Sequence, residues 1–351
     1  NGQSDMILLQ RKDPITLQPG EVRTYRWEHV LLKNVQLWWP HTLGDQPLYK
    51  IRVCFIHNAT INEQHESDCN EWNAGIRTVS TNISKKSGGR YFLINDQPIF
   101  LQGGNWIATD AMLQRSTKER YFNEVLLHKH AGLNLIRVWG GGLTERPEFY
   151  EACDKLGILV MQEFWMSGDN NGRWAGSYNA PDNHTLYLEH ARDMVLMIRR
   201  HPSLLFYCGG NELWPSQQNP PTAIQDGLMN VIENFDDRFL IMSSMDGGYK
   251  GGDMTLHDDS YALAAEDGPY DFLSLVTYWS QHNPGMKNGT TVTQAFQPEI
   301  GSSGMPRYHS LKRTGLTENE TDFPRGVDRY VPRLWEYHKF QGYGIRDINN
   351  T

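Results

Sequence analysis

From about residue 90 onward the chain alternates between short apolar runs and helical stretches, and this rhythm constrains its fold more than any other feature. The apolar runs begin near residues 99, 134, 158, 204, 239, 272 and 292. Strands that are apolar along their whole length belong to parallel sheets covered by helices on both faces. Seven such strands fit a (β/α)8 TIM barrel that lacks its eighth strand. We therefore expect an α/β fold, with an incomplete barrel over residues 86–351.

The expected gap in the barrel has a consequence for partners. No clear eighth strand follows Glu299, where the chain becomes polar and irregular. A barrel open between its seventh and first strands would leave two unpaired strand edges. We therefore expect other segments or chains of the same protein to complete it.

Local signals place the helices between these strands. Ser116 and Glu119 have the spacing of a capping box, and Gly132 suits the end of the same helix. A second helix is predicted from Pro147 to just before Gly157, because proline is favoured in a first turn. Two more helices are expected over about residues 186–200 and 223–235.

The first 85 residues follow a different pattern. In "LYKIRVCFI" every second residue is apolar on one face, which is the period of a half-buried strand. The stretches "EVRTYRWEHV" and "AGIRTVSTN" alternate in a similar way. We expect all or part of an immunoglobulin-like β-sandwich over residues 1–85, followed by a hairpin that turns at Asn95–Asp96.

The net charge and the length of the apolar runs exclude some classes of binding partner. The formal net charge of -8 argues against nucleic acid and anionic membranes, because those partners require basic patches. No apolar run approaches the roughly 18 residues that cross a bilayer, so no membrane span is expected.

Glycosylation signals and cysteines bear on the cellular compartment. Six Asn-x-Ser/Thr sequons favour the secretory pathway, with an extracellular, vacuolar or lysosomal destination, although chance also produces such triplets. Cys54 and Cys69 flank a polar loop and are expected to form a disulfide, whereas Cys153 and Cys208 are expected to be buried free thiols. The predicted N-glycosylation sites are Asn58, Asn82, Asn183, Asn288 and Asn319, and the sixth sequon is at Asn349.

Two glutamates follow apolar strands and carry the main functional prediction. Glu212 ends "LLFYCGGNE" after the fourth strand, and Glu299 lies in "FQPEIGSSG" after the seventh. In (β/α)8 barrels the catalytic groups lie at the C-terminal ends of the strands, so these carboxylates are expected to face each other. A pair about 5–5.5 Å apart performs retaining glycoside hydrolysis.

Several motifs in order resemble glycoside hydrolase family 2. These are "LWWPHTLGDQPLY", "GGNWIATD", "LNLIRVWGGG" and "GNE", and they point to the β-mannosidase and exo-β-glucosaminidase branch. Within that branch, "EFWMSGDNNGRW", "CGGNE" and "FQPEIGSSGMP" look most like the plant-type mannosylglycoprotein endo-β-mannosidases. The resemblance covers about residues 20–310.

The resemblance implies roles for individual residues. Glu212 would be the acid/base and Glu299 the nucleophile, while Asn211 would bind the 2-hydroxyl of the sugar. Arg137 would keep the nucleophile ionised. The remaining residues expected to contact the nucleophile or the sugar are Tyr278, Asp110, Trp106, Trp139, Trp165, Trp214 and Trp279.

Structural alternatives exist for most of these residues. Each Trp fits a hydrophobic core as well as a sugar platform. Arg137 could be an ion-pair partner inside the barrel, and Asp110 could cap the next segment. No metal or cofactor is expected: "GDNNGRW" lacks the ligand spacing of a calcium loop, and the glycines at 140–142 are not followed by a phosphate-loop Lys.

The leading hypothesis is a retaining β-glycosidase acting on a carbohydrate partner, either a β-mannoside or the Man-β-1,4-GlcNAc core of N-glycans. An exo-β-glucosaminidase is the alternative enzyme, and it would require extra acidic groups to hold an ammonium group. A non-catalytic carbohydrate-binding or structural glycoprotein on the same scaffold is the alternative from another class.

Overall fold

The structure is a computed structural model that describes residues 9–25, 27, 31–60, 63–83, 90–168, 180–214, 218–244, 296, 298–299, 308–313, 315 and 317. Antiparallel strands form its N-terminal part, as a long hairpin and a separate three-stranded sheet. The hairpin strands are β1 (Tyr49–Thr60) and β2 (Glu63–Ala74), and the sheet strands are β3 (Val79–Ile83), β4 (Arg90–Ile94) and β5 (Gln97–Ile99).

A parallel sheet follows, in which neighbouring strands are also neighbours in sequence. Its order is β10-β9-β8-β7-β6, and each adjacent pair is parallel. The strands are β6 (Gly103–Trp106), β7 (Leu135–Val138), β8 (Leu159–Glu163), β9 (Leu204–Cys208) and β10 (Leu240–Ile241). Every residue of β7 to β10 is buried, as expected of strands covered on both faces. Four of the predicted barrel strands are thus confirmed within two residues, while those near 272 and 292 lie outside the described residues.

Helices occupy the connections between these strands. They are α1 (Lys118–His130), α2 (Pro147–Leu156), α3 (His184–Ile198) and α4 (Thr222–Phe235), with a short α5 at Tyr308–Lys312 and a 3-10 helix at Leu113–Arg115. The prediction for α2 is confirmed, because Pro147 opens it and Gly157 ends it in the left-handed region, at φ +73°.

Two sequence predictions about element boundaries are wrong. The cap of α1 is Thr117 and not Ser116: the Thr117 hydroxyl accepts from the Arg120 N–H, whereas Ser116 is buried. The first barrel strand begins at Gly103 and not near residue 99, because β5 first pairs with β4 to close the hairpin. The tight turn at Asn95–Asp96 is confirmed, with both residues at positive φ.

The N-terminal segment departs in part from the sandwich prediction. No strand forms among residues 21–25 and 27, the described part of "EVRTYRWEHV", where Val22 is 96% exposed. Cys54 lies opposite Cys69 in the β1–β2 hairpin, and the two form a disulfide. The immunoglobulin-like topology of residues 1–85 and the domain boundary after residue 85 stay predictions.

Two hydrophobic clusters lie on opposite faces of the parallel sheet. On β7 and β8, Ile136 and Val160 pack with the helices, whereas Leu135 and Leu159 pack in the second cluster. Because side chains alternate along a strand, Arg137 lies on the same side as Leu135, at the C-terminal end. The barrel interior is therefore apolar at one end and polar at the other.

The β3–β4–β5 sheet covers the apolar end of the barrel. Phe92 of β4 stacks on Phe206 of β9, with ring centroids 5.1 Å apart. The indole of Trp38, fully buried, donates to the Asp154 carbonyl at 2.8 Å. Arg77 donates to the carbonyls of Pro202 and Leu204, where β9 begins. We call this covered apolar end the floor of the barrel. Its contacts are structural, so we expect the chemistry at the opposite, polar end.

None of the described helices is long and apolar enough to cross a membrane.

Candidate active site

Arg137 is the centre of the polar end of the barrel. Its Nε donates to Glu163 Oε1 at 2.8 Å, and its Nη1 donates to Glu299 Oε2 at 2.8 Å. The Nη2 atom donates to Asn211 Oδ1, and the amide of Asn105 accepts from Nη1 at 3.3 Å. One guanidinium thus joins groups from the ends of β6, β8 and β9 to the segment that carries Glu299.

The electrostatics of this cluster are set by burial and by two anions. Burial on its own lowers the pKa of Arg137, which is 3% exposed. The charge of Glu163 and then the contacts with Glu299 outweigh it and raise the Arg137 pKa above its usual value. The guanidinium therefore stays charged, and both carboxylates are matched to a permanent cation.

Glu163 is a member of the site that the sequence predictions missed. It ends β8, is 0% exposed, and accepts from the Gly140 N–H at 2.6 Å through Oε2. A side chain at Gly140 would place its Cβ 2.6 Å from the carbonyls of Phe164 and Met166, so this approach requires glycine. The available signal was a carboxylate at the end of a strand that begins with three apolar residues, at the same strand end as Glu212.

Asn211 is fixed by backbone and side-chain contacts. It forms a parallel bridge with Ser167, and its N–H donates to the Met166 carbonyl at 2.9 Å. Its Nδ2 donates to Ser167 Oγ at 3.2 Å, and the residue is 3% exposed. Since Oδ1 accepts from Arg137, the rotation of the amide is defined by partners at both ends.

Glu212 sits in an unusual backbone conformation directly after Asn211. Its φ is +51°, in the left-handed region that residues other than glycine rarely adopt. The Glu212 N–H donates to Ser244 Oγ at 2.9 Å, and the Leu213 N–H donates to Ser243 Oγ at 2.9 Å. Two serines after β10 thus hold the turn at Glu212, whose side chain is partly exposed.

The glycines before Asn211 allow this turn to form. A Cβ at Gly209 would lie 2.5 Å from the Met242 carbonyl, and one at Gly210 would lie 2.7 Å from the Met166 carbonyl. Neighbouring backbone therefore occupies the space that any side chain would need.

Glu299 is the more open of the two carboxylates that contact Arg137. Its side chain is 24% exposed, against 0% for that of Glu163. The adjacent Pro298 is buried, and its carbonyl lies 3.4 Å from Arg137 Nη1. Glu299 thus combines a tight cationic partner with access from outside the barrel.

Comparison with known proteins gives these residues a family context. Residues 86–255 match the sequence model of "Glycosyl hydrolases family 2, TIM barrel domain". The chain belongs to glycosyl hydrolase family 2. Its recognition from motifs is confirmed, as is the barrel, whose five described strands lie in the order expected of a (β/α)8 fold.

Two relatives with similar sequences are named as mannosidases. The mannosylglycoprotein endo-beta-mannosidase of Lilium longiflorum is 32% identical over 98% of this chain and 37% of its own length. Beta-mannosidase B of Aspergillus fumigatus is 34% identical over 53% of this chain and 21% of its own length. The chain therefore spans less than two fifths of these relatives.

Solved structures of two enzymes share the fold. The beta-D-mannosidase of Dictyoglomus thermophilum matches with a TM-score of 0.61 and 26% identity, over 80% of this chain and 33% of that one. The exo-chitosanase of Amycolatopsis orientalis matches with a TM-score of 0.59 and 20% identity, over 79% of this chain and 30% of that one. The second likeness concerns the fold alone.

Trp106 and Asp110 were both predicted to contact the sugar, and both are held by contacts within the protein. Trp106 is 6% exposed, packs on Phe149 at 4.8 Å between ring centroids, and donates to Glu145 at 2.8 Å. These contacts are those of the core alternative. Asp110 accepts from the Met112 N–H and from Arg120, each at 2.8 Å, and the Arg120 contact lowers its pKa. These contacts are those of the capping alternative.

The other tryptophans are only partly buried. Trp165 donates to Thr144 Oγ1 at 2.9 Å and meets Tyr187 edge to face. The ring of Trp139 packs so closely over Gly141 that a Cβ there would lie 2.1 Å from it. The Trp214 carbonyl accepts from the Asn219 N–H at 3.1 Å. Trp139, Trp165 and Trp214 stay candidates for sugar contact, whereas Tyr278 and Trp279 lie outside the described residues.

The predicted modification sites are distributed outside this site. Asn82 is exposed on β3, and Asn58 lies on β1. Asn183 is exposed and caps α3, where its Oδ1 accepts from the Leu186 N–H at 3.0 Å. Asn288, Asn319 and Asn349 lie outside the described residues, so glycosylation stays a prediction for all six sequons.

Proposed function

We propose that this protein hydrolyses β-mannosidic linkages by double displacement, with Glu299 as nucleophile and Glu212 as acid/base. The observation that carries the proposal is the pair of bonds from Arg137 to Glu299 and to Asn211. They bring the segment that bears the predicted nucleophile beside the residue that immediately precedes the predicted acid.

In the first step a carboxylate oxygen of Glu299 attacks the anomeric carbon of the substrate. Arg137 binds Oε2, which fixes the position of the carboxylate and leaves Oε1 for attack. Glu212 donates its proton to the glycosidic oxygen as the C–O bond breaks, and the aglycone leaves. The products of this step are a covalent glycosyl-enzyme and a deprotonated Glu212.

In the second step water replaces the aglycone. Glu212 takes a proton from that water, the oxygen attacks the anomeric carbon, and Glu299 leaves as a carboxylate. Two inversions retain the β configuration, and Glu212 is again protonated. Asn211, held by Arg137 and Ser167, is assigned to the 2-hydroxyl of the sugar, where hydrogen bonds strengthen in the transition state.

The choice of a mannoside rests on the relatives. The lily, Aspergillus and Dictyoglomus proteins are all described as mannosidases. The lily name further suggests the Man-β-1,4-GlcNAc linkage of N-glycan cores as a substrate. A glucosaminidase would require an acidic group free to bind an ammonium group. Among the residues that the structure describes at the polar end of the barrel, Glu163 and Glu299 are bound to Arg137.

The experiment compares aryl β-mannoside, aryl β-glucosaminide and an N-glycan core glycopeptide as substrates of the intact protein. We expect cleavage of a mannoside and loss of at least about 10⁴-fold in kcat for Glu299→Gln, which preserves shape but removes the nucleophile. Preferential cleavage of the glucosaminide would replace the substrate assignment. Cleavage of none of the three would contradict the enzymatic proposal and favour the non-catalytic class.

The same experiment fixes the mechanism through stereochemistry. We expect the first-formed sugar to have the β configuration, as detected by NMR during turnover. An α product would require an inverting enzyme and a wider carboxylate separation, about 6.5–9.5 Å.

Completion of the barrel by another segment or chain of the protein is also part of the proposal. Phe100 is 79% exposed, Ile107 64% and Leu127 66%, all beside β6 or on α1, where an eighth β/α unit would pack. If this face is covered in the intact protein, Leu127→Ser should lower its thermal midpoint clearly. If the face meets water, the midpoint should hardly move.

We also propose passage through the secretory pathway. The Cys54–Cys69 disulfide and the exposed sequons at Asn82 and Asn183 support it, because disulfides persist in oxidising compartments. A mass shift on treatment with an N-glycosidase would be expected for the native protein, and its absence would count against this route.

A further inference from the structure

The buried carboxylate of Glu163 has both oxygens engaged. Oε1 accepts from Arg137 Nε at 2.8 Å, and Oε2 accepts from the Gly140 N–H at 2.6 Å. With 0% of its surface exposed, Glu163 has no access to substrate. Any effect that it has on chemistry must therefore pass through its partners.

The partner that matters is the guanidinium of Arg137. A guanidinium is planar and rigid, so a bond at Nε fixes the directions of both Nη groups. In this site Nη1 is directed at Glu299 and Nη2 at Asn211. The orientation set by Glu163 therefore reaches both groups that the proposed mechanism places against the sugar.

We propose that Glu163 is a positioning residue of the reaction, which aligns Glu299 and Asn211 by anchoring Arg137. This inference rests on the function proposed above for those two residues. Anchoring requires a carboxylate: a neutral Gln would offer one acceptor to two donors and would leave either Arg137 or Gly140 unsatisfied.

The charges around Glu163 are consistent with this role. Arg137 is the cation that faces it, and Glu299 is the second anion on that cation. The nearby Cys208 thiol has its pKa raised by burial, so it stays neutral and adds no charge. A second buried carboxylate, Asp154, provides a matched control: it accepts from His201 Nδ1 at 2.6 Å and from the Ser203 N–H at 3.0 Å, at the other end of the strands.

The test is a double-mutant cycle on the intact protein with an aryl β-mannoside. We expect Glu163→Gln to lower kcat by at least about 10-fold while KM changes by less than about 3-fold. In an Arg137→Ala background, Glu163→Gln should change kcat by less than about 2-fold, because its route of action is gone. Asp154→Asn should lower the thermal midpoint, leave kcat near the wild-type value, and act equally in both backgrounds.

A structural readout decides the point independently of turnover. In a crystal structure of Glu163→Gln, we expect Arg137 Nη1 to move beyond about 3.5 Å from Glu299 Oε2. An Arg137 that keeps both bonds, or a kcat loss that is undiminished in the Arg137→Ala background, would overturn the inference. A wild-type protein that cleaves no glycoside would overturn the proposed function, and the crystal structure would still decide the role of Glu163.

If Glu163→Gln does not fold, Glu163→Asp gives the same readouts. It keeps the charge but shortens the side chain by one methylene, so it can reach Arg137 or Gly140 but not both at the present distances. A loss of kcat with a displaced Arg137 supports the inference, and unchanged kinetics with an unmoved Arg137 contradict it.

Discussion

Arg137 Nη2 donates directly to Asn211 Oδ1, although Arg137 lies on β7, Asn211 follows β9, and β8 lies between these two strands. The bond passes over the end of the intervening strand, where Glu163 binds the same guanidinium. Three neighbouring strands are thus joined at one residue, and the segment with Glu299 is joined to them by the same side chain.

This arrangement predicts that Arg137→Lys is not a conservative change. An ammonium group is a compact point charge and cannot bind Glu163, Glu299 and Asn211 in one plane. We expect kcat/KM on an aryl β-mannoside to fall by about 10²- to 10³-fold. Arg192→Lys, at an exposed pair with Asp193, is the control and should stay within about 2-fold. Equal effects of the two changes would contradict the prediction.

Glu212→Gln should separate acid catalysis from nucleophilic attack. The amide cannot donate a proton to the leaving oxygen, so a glycoside with a poor leaving group should lose about 10²- to 10⁴-fold in rate. A dinitrophenyl glycoside, whose leaving group requires no proton, should lose far less in its first step. Stopped-flow release of the phenolate measures that step, and a loss of the same size for both substrates would assign Glu212 another role.

The left-handed turn at Glu212 predicts an effect of Ser244, whose hydroxyl accepts from the Glu212 N–H. Ser244→Ala removes the acceptor of the Glu212 N–H, and such strained residues cost about 1–3 kcal/mol unless they are held in place. We expect kcat to fall about tenfold and the free energy of unfolding to fall by about 1–2 kcal/mol. Ser203→Ala is the matched control, because the buried Ser203 hydroxyl has no hydrogen-bond partner in the described part of the chain. It should be nearly neutral in both measurements.

The floor of the barrel predicts a change in stability without a change in chemistry. Phe92→Ala would leave a cavity against Phe206 and Phe239, at a cost of about 3–5 kcal/mol in the free energy of unfolding. Below the unfolding transition, kcat should be unaffected. Phe55→Ala, at a ring that is 49% exposed, should cost less than about 1 kcal/mol in denaturant titration. A large loss of kcat for Phe92→Ala would show that the floor and the site are coupled.

The sequence predicted those features that depend on local pattern. The buried strand at Leu204–Cys208 and the end of α2 at Gly157 follow from apolar runs and from the backbone freedom of glycine. The link between Arg137 and Glu299 was expected from family resemblance, and the structure has it at 2.8 Å. In each case the neighbouring residues in the sequence, or a family motif, are sufficient to predict the feature.

Features that depend on tertiary partners were not predictable. Glu163 looks like any strand-end acid until Arg137 and Gly140 are placed beside it. Trp106 has the composition of a sugar platform, but Phe149 and Glu145 enclose it. The cap of α1 moved from Ser116 to Thr117 because the hydroxyl that meets the Arg120 N–H is decided by geometry, and both residues have one.

The shared apolar floor limits how this chain can be divided. The family match begins at residue 86, but Trp38 and Arg77 bind backbone carbonyls of the barrel from upstream of that point. A fragment cut at residue 86 would expose the indole pocket at Asp154 and the open ends of β7 to β9 to water. The smallest fragment that keeps these contacts therefore begins upstream of Trp38.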